Sequence, residues 1–139
     1  FRQVWGYIVD SDGNDVADPY LSEALDYVDV HKVVGTEFYV KPILYVNYEA
    51  SINIWLHTGY NPTQVVSDVT DLINTTYSKP GMGISENVLV AKIGADLNAM
   101  DAIANYDIVS PASDVTVPDS YHGYLCNAVS VTVTMMGYL

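Results

Sequence analysis

The segment from Tyr45 to His57 constrains the fold more than any other stretch of the chain. Val46, Tyr48, Ala50, Ile52, Ile54 and Leu56 share one parity; Tyr45, Asn47, Glu49, Ser51, Asn53, Trp55 and His57 share the other. Successive side chains of a strand point to opposite faces, so this pattern predicts a long strand with one apolar and one polar face. Such a strand belongs in an antiparallel sheet that packs one side on a core and leaves the other to solvent.

Other elements can be placed around this strand. Val4 to Val9 reads as a short aromatic strand that ends in the turn formers Asp10 to Asp15. Asp18-Pro19 announces a helix, with Asp18 as cap and Pro19 at the first helical position. Leu21, Ala24, Leu25 and Val28 form its buried stripe, and Phe38 to Val40 is extended again up to Pro42. Asn61-Pro62 repeats the helix-start signal ahead of Val65, Val66, Val69, Leu72 and Ile73. Ser85 reads as the cap of a third helix over about residues 86–98. Ala102 to Ile108 reads as a strand, and Ser110 to Tyr124 as loop with a brief edge strand at Val115 and Val117. The last strand is Ala128 to Met136, with Val129, Val131, Val133 and Met135 facing in.

These elements predict an α+β fold of two small subdomains, each a β-sheet with helices packed on one face. Residues 1–42 give β-α-β, and residues 43–139 give a β-α-α-β-β sandwich with long antiparallel strands. The first unit is too small to bury a core alone and must pack on the second or on further N-terminal sequence. The chain begins with Phe1 rather than Met, inside an expected strand, so a fragment or processed product is expected.

Composition narrows the function. Half of the residues are apolar and 16% are charged, which excludes intrinsic disorder. Five Lys+Arg against seventeen Asp+Glu leave a net charge of -12, the wrong sign for nucleic acid or for anionic membrane surfaces. Ser120 to Leu139 contains no Asp, Glu, Lys or Arg, but it alternates apolar with polar residues and so reads as strand rather than as a membrane span. Cys126 is the single cysteine, which excludes an internal disulfide and a zinc site built on several thiolates.

Sites of chemistry are scarce. Aligning Gly13 with the glycine of a calcium loop places Ile8 and Pro19 at positions that need side-chain oxygens, so the Asp10 to Asp15 cluster reads as a solvated turn. His31, His57 and His122 show no paired-ligand spacing and read as surface residues. Cys126 matches no nucleophile signature and reads as a small apolar residue. Glu23 and Asp26 lie three apart on a helix, on the face opposite its apolar stripe. No catalytic residue, metal ligand or cofactor site is assigned, and a small hydrolase using Glu23 and Asp26 or Cys126 is the weakest alternative. Twelve tyrosines and two tryptophans are more informative. Tyr45, Trp55 and Tyr138 sit on strand faces opposite the expected core, where aromatic residues suit protein interfaces. Packing between the subdomains and carbohydrate binding are the competing uses, so an extracellular carbohydrate- or protein-binding module is the main alternative function.

The order and spacing of these segments resemble the C-terminal half of the baseplate J-like family, wedge proteins of contractile phage tails and related injection systems. The resemblance is carried by Val9-Asp10-Ser11-Asp12-Gly13, Val33-Val34-Gly35-Thr36, Val40-Lys41-Pro42 and the long alternating strand. It continues through Gly59-Tyr60-Asn61-Pro62, Gly81-Met82-Gly83-Ile84-Ser85-Glu86 and Val129-Ser130-Val131-Thr132-Val133-Thr134. Where many relatives have a PGV-like turn after the last helix, this chain has Asn98-Ala99-Met100-Asp101-Ala102. The resemblance implies a structural subunit without catalysis or cofactor, in the tail baseplate of a virion, made in the bacterial host cytoplasm. Its partners would be itself, as a homodimer or higher, and other baseplate proteins. The uncharged final strand adds a residue-level expectation. Thr132, Thr134, Met136 and Tyr138 should share its outer face and mediate self-association, and the strand should be either central or covered by another subunit.

Overall fold

The structure, a computed structural model, describes residues 2–139; Phe1, and with it the expectation about the chain's opening, lies outside them. The elements are β1 (Arg2–Tyr7), α1 (Tyr20–His31), β2 (Thr36–Lys41), β3 (Leu44–Leu56), α2 (Pro62–Thr76), α3 (Val90–Asn98), β4 (Ile103–Ser110) and β5 (Tyr124–Tyr138). The fold is α+β, with β1 and β2 in one small parallel sheet and β4-β3-β5 in another. Element order therefore runs β-α-β and then β-α-α-β-β.

Strand β3 is the centre of the larger sheet. Ala50, Ile52, Ile54 and Leu56 are buried, while Ser51, Asn53 and Trp55 between them are half-buried on the other face. The apolar set packs under Val65, Val69 and Ile73 of α2 and Ile93 and Leu97 of α3. Helix α2 starts where the sequence says it should: Asn61 Oδ1 accepts the Thr63 N–H at 3.0 Å, and Pro62 opens the helix. The smaller unit is less consolidated, for α1 has no buried residue.

Several expectations are corrected. Strand β1 is Arg2–Tyr7 rather than Val4 to Val9, because Val9 instead bridges Asp15 across the Asp-rich turn. The cap residue of α1 is Pro19 rather than Asp18, one position later than expected, and Asp18 Oδ1 still accepts the Ser22 N–H at 3.2 Å. Helix α3 begins at Val90, not near 86. Ser85 takes a φ of 62°, its N–H donates to the Tyr124 carbonyl, and Val88 pairs with Val115, which holds this stretch extended. The first turn of α3 is instead capped from far along the chain, by Asp114 Oδ1 accepting the Val90 N–H at 2.8 Å. Strand β4 extends to Ser110 and β5 runs from Tyr124 to Tyr138, longer at both ends than expected.

The larger sheet is mixed rather than antiparallel: β3 pairs antiparallel with β4 and parallel with β5. The connection after β4 crosses to the far side of β3, so β5 enters along the same direction as β3. Strand β5 is consequently an edge strand, not a central one. Its register skips one residue between Ala128 and Ser130 and another between Met135 and Gly137. Each bulge reverses the inward parity. Val129, the extra residue of the first bulge, is 56% exposed instead of facing in, whereas Val131, Val133 and Met135 pack against the core.

One turn fixes the two units together. Gly13 has a φ of 79°, and a Cβ there would lie 2.6 Å from the Lys79 carbonyl oxygen. Gly35 has a similar φ but nothing within 4 Å. Gly13→Ala should therefore cost about 1–3 kcal/mol from the left-handed backbone plus the clash, and clearly more than Gly35→Ala. Thermal melts of the two variants followed by circular dichroism measure the difference.

Candidate functional site

The face of the β4-β3-β5 sheet opposite the helices is a polar surface built on regular structure. Register places its residues in rows: Asp107, Asn53 and Thr134 in one, Asn105, Trp55 and Gly137 in the next, and Ser51 beside Thr132. Gly137 lies under Trp55, where an added Cβ would stand 4.0 Å from the indole Cδ1, so the ring rests on the strand beside it. Thr132 and Thr134 are exposed, and Trp55 is half-buried. The middle of the face offers hydroxyls, amides and one indole, with Asp107 and Glu49 as its charges.

Of the residues expected at an interface, Trp55, Thr132 and Thr134 share this face. Tyr45 has the same parity but lies at the far end of β3, where its hydroxyl donates to the Gly13 carbonyl at 2.9 Å and Lys79 Nζ sits 5.4 Å from its ring. It is a clamp on the Asp-rich turn. Tyr138 pairs with Leu56, so the second bulge places it on the helix side, where its hydroxyl donates to the Tyr60 carbonyl at 3.4 Å. That placement corrects the expectation of a shared outer face. Met136 is the extra residue of that bulge and is 52% exposed.

The free edge of β5 adjoins the face. Its first part is covered: the Ser85 N–H donates to the Tyr124 carbonyl at 2.6 Å, and the Ala128 N–H donates to Ser78 Oγ at 3.0 Å. From Ser130 to Met135 the backbone on that side has no partner among the described residues.

Several other polar groups are engaged within the fold. Asp10 Oδ1 accepts the N–H groups of Asp12 and Asn14, both at 2.9 Å, and these hydrogen bonds, led by Asn14, lower its pKa. Among the described residues no group of three or more His, Cys, Asp or Glu could hold a metal ion. Asp119 accepts from the backbone of His122 and Tyr121, from the His122 ring and from the Tyr124 hydroxyl, which holds its carboxyl at about 2. Burial pushes the Cys126 thiol up, and its Sγ lies 3.4 Å from the Glu86 carbonyl. Glu23 and Asp26 are exposed on α1, and His31, His57 and His122 are exposed as well.

A second aromatic group is brought together only by the fold. Trp5 and Tyr39 face each other across the parallel β1–β2 pair, stacked at 4.8 Å, with Lys41 Nζ 4.0 Å above the indole. Alternation marks both residues as sharing a parity with outward positions, but only the parallel register makes them neighbours. Compared with protein-family models and with curated proteins, the chain has no match.

Proposed function

We propose that the chain is a structural subunit of the baseplate wedge of a contractile phage tail or related injection system, acting through contacts with itself and with other baseplate proteins. One observation supports this reading above the others. The thirteen-pair β3–β5 ladder is parallel, yet it leaves one face and part of one edge uncovered. Parallel strands occur mostly in sheets covered on both faces, and an uncharged free edge is a surface that proteins otherwise guard. A subunit whose neighbours supply the missing cover satisfies both rules. The order and spacing of the sequence segments point the same way.

Mass spectrometry of purified tail particles from the encoding bacterium or phage tests this. The chain should be recovered in the baseplate fraction beside sheath and tube proteins; its absence from intact particles overturns the reading. A second reading rests on Trp55, flanked by Asn53 and Asn105 on a flat face, a combination that also suits a sugar ring. Binding of a glycan by the isolated chain at micromolar strength, lost in Trp55→Ala, would favour that module.

A further inference from the structure

We propose that the outer face of α1 pairs with the same face of a second copy of this chain, the two helices antiparallel across a two-fold axis that passes by Tyr27. The proposal gives the self-contact of the assembly reading above a surface, and it rests on that reading for its setting. Helix α1 carries two stripes. Leu21, Ala24, Leu25 and Val28 are half-buried, with Leu21 beside Val40 of β2 and Leu25 beside Phe38. Tyr20, Glu23, Tyr27, Val30 and His31 are all exposed. At 3.6 residues per turn these five fall within about 100° of one another, on the side away from Leu25. Tyr20 is 70% exposed, Tyr27 65% and Val30 79%, and the apolar surface continues past the helix end into Val33 and Val34. An amphipathic surface helix needs one apolar stripe, toward its own core; a second, turned to solvent, marks a contact surface.

Area and charge pattern select the occupant. The two tyrosines and three valines together expose on the order of 700 Å², against about 800 Å² per partner in a standard interface. The charged residues of the stripe are placed for self-pairing. Glu23 lies four residues before Tyr27, and His31 lies four after it. Antiparallel pairing about Tyr27 sets Glu23 of each copy against His31 of the other, and Tyr20 against the Val33-Val34 turn. A two-fold contact makes each such match twice. A parallel pair would instead set Glu23 against Glu23 and align the two helix dipoles. The His31 ring is already fixed in place: it stacks on Tyr27 at 4.0 Å, and its Nδ1 lies 2.7 Å from the Tyr27 carbonyl. That carbonyl only accepts, so Nδ1 is the donor there and Nε2 is left for the opposing carboxylate. Asp29 is held by Lys32 at 2.6 Å. Asp26 borders the stripe near the axis and meets its own counterpart. That repulsion and the net charge of -12 oppose association, so the dimer is weak, with a dissociation constant of roughly 10–100 µM.

Sedimentation equilibrium of the full 139-residue chain reads the dissociation constant. The wild type should dimerise in that range, and Tyr27→Glu should weaken the dimer at least tenfold. Glu23→Lys should also weaken it at least tenfold. Glu23→Lys combined with His31→Glu restores the opposite-charge match with its sign reversed, and should return the affinity to within about threefold of the wild type. All three positions are exposed, so the circular dichroism of each variant should match the wild type's. A chain that stays monomeric at millimolar concentration overturns the proposal. A dimer indifferent to Tyr27→Glu means that another face pairs, and overturns the assignment to α1. A double variant no tighter than Glu23→Lys alone overturns the antiparallel register. Recovery of the chain in tail particles together with a monomeric chain in solution would sink this inference and leave the assembly reading standing; a dimer that obeys the charge swap, from a chain absent from such particles, would do the reverse.

Discussion

Ile54→Ala should lower the unfolding free energy by about 3–5 kcal/mol, with a fall in melting temperature on the order of 10–20 °C. Ile54 lies on the central strand, paired on both sides, and is fully buried. It belongs to the cluster that joins α2, through Val65, Val69 and Ile73, to α3, through Ile93 and Leu97. Truncation removes buried methyl and methylene groups at a place hemmed in by the paired strands β4 and β5, so the cavity cannot collapse by strand movement. Val34→Ala is the natural control. Val34 is 99% exposed, and its loss should stay within about 0.5 kcal/mol. Urea unfolding of both variants measures the contrast; a loss below about 1 kcal/mol at Ile54 would mean that the two helices do not close over the sheet as described.

That core is legible in the sequence because its signals are local. Period-two alternation marks every buried residue of β3, and Asn61-Pro62 marks the start of α2, since both patterns act within a few residues of chain. The failures share the opposite property. The start of α3 escapes a sequence reading because its cap is Asp114, twenty-four residues downstream, and because Ser85, a good cap by residue type, is recruited by Tyr124 and His122 instead. Val129 and Tyr138 lie on faces that alternation does not predict, because a bulge inserts one residue without any sequence mark. Each insertion reverses the parity of the residues after it. The direction of β5 is hidden as well. Alternation says that a segment is a strand but not which way its neighbour runs.

The candidate interface divides along the same line. Parity alone identifies Trp55, Thr132 and Thr134, and they share a face in the fold. The same rule selects Tyr45, yet a contact with Gly13 from the other unit turns it into an internal clamp. Parity selects a face; tertiary contacts decide how much of that face remains free. The edge of β5 cannot be read from sequence at all, since strand order is a property of topology.

Stability should fall by about 2 kcal/mol between pH 10 and pH 12, through Tyr48. This residue is 8% exposed, its hydroxyl donates to the Tyr77 carbonyl, and burial pushes its pKa up to about 12. An unfolded tyrosine ionises near pH 10. Below that pH both states hold the proton and the contribution of Tyr48 is fully present. Between about 10 and 12 the unfolded chain releases the proton while the folded chain keeps it, so unfolding gains roughly 1.4 kcal/mol per pH unit from this one group. Tyr77 adds to the loss in the same direction, because burial and then its hydrogen bond to Asp96 also raise its pKa. Tyr48→Phe isolates the effect. At pH 8 the variant should be weaker by about 1–2 kcal/mol, since the buried Tyr77 carbonyl loses its donor. From pH 10 to 12 its unfolding free energy should then fall less steeply than the wild type's by that single-group slope. Urea titrations at pH 8, 10, 11 and 12 measure both terms, and parallel alkaline slopes for the two proteins would show that the Tyr48 hydroxyl is not held where the fold places it.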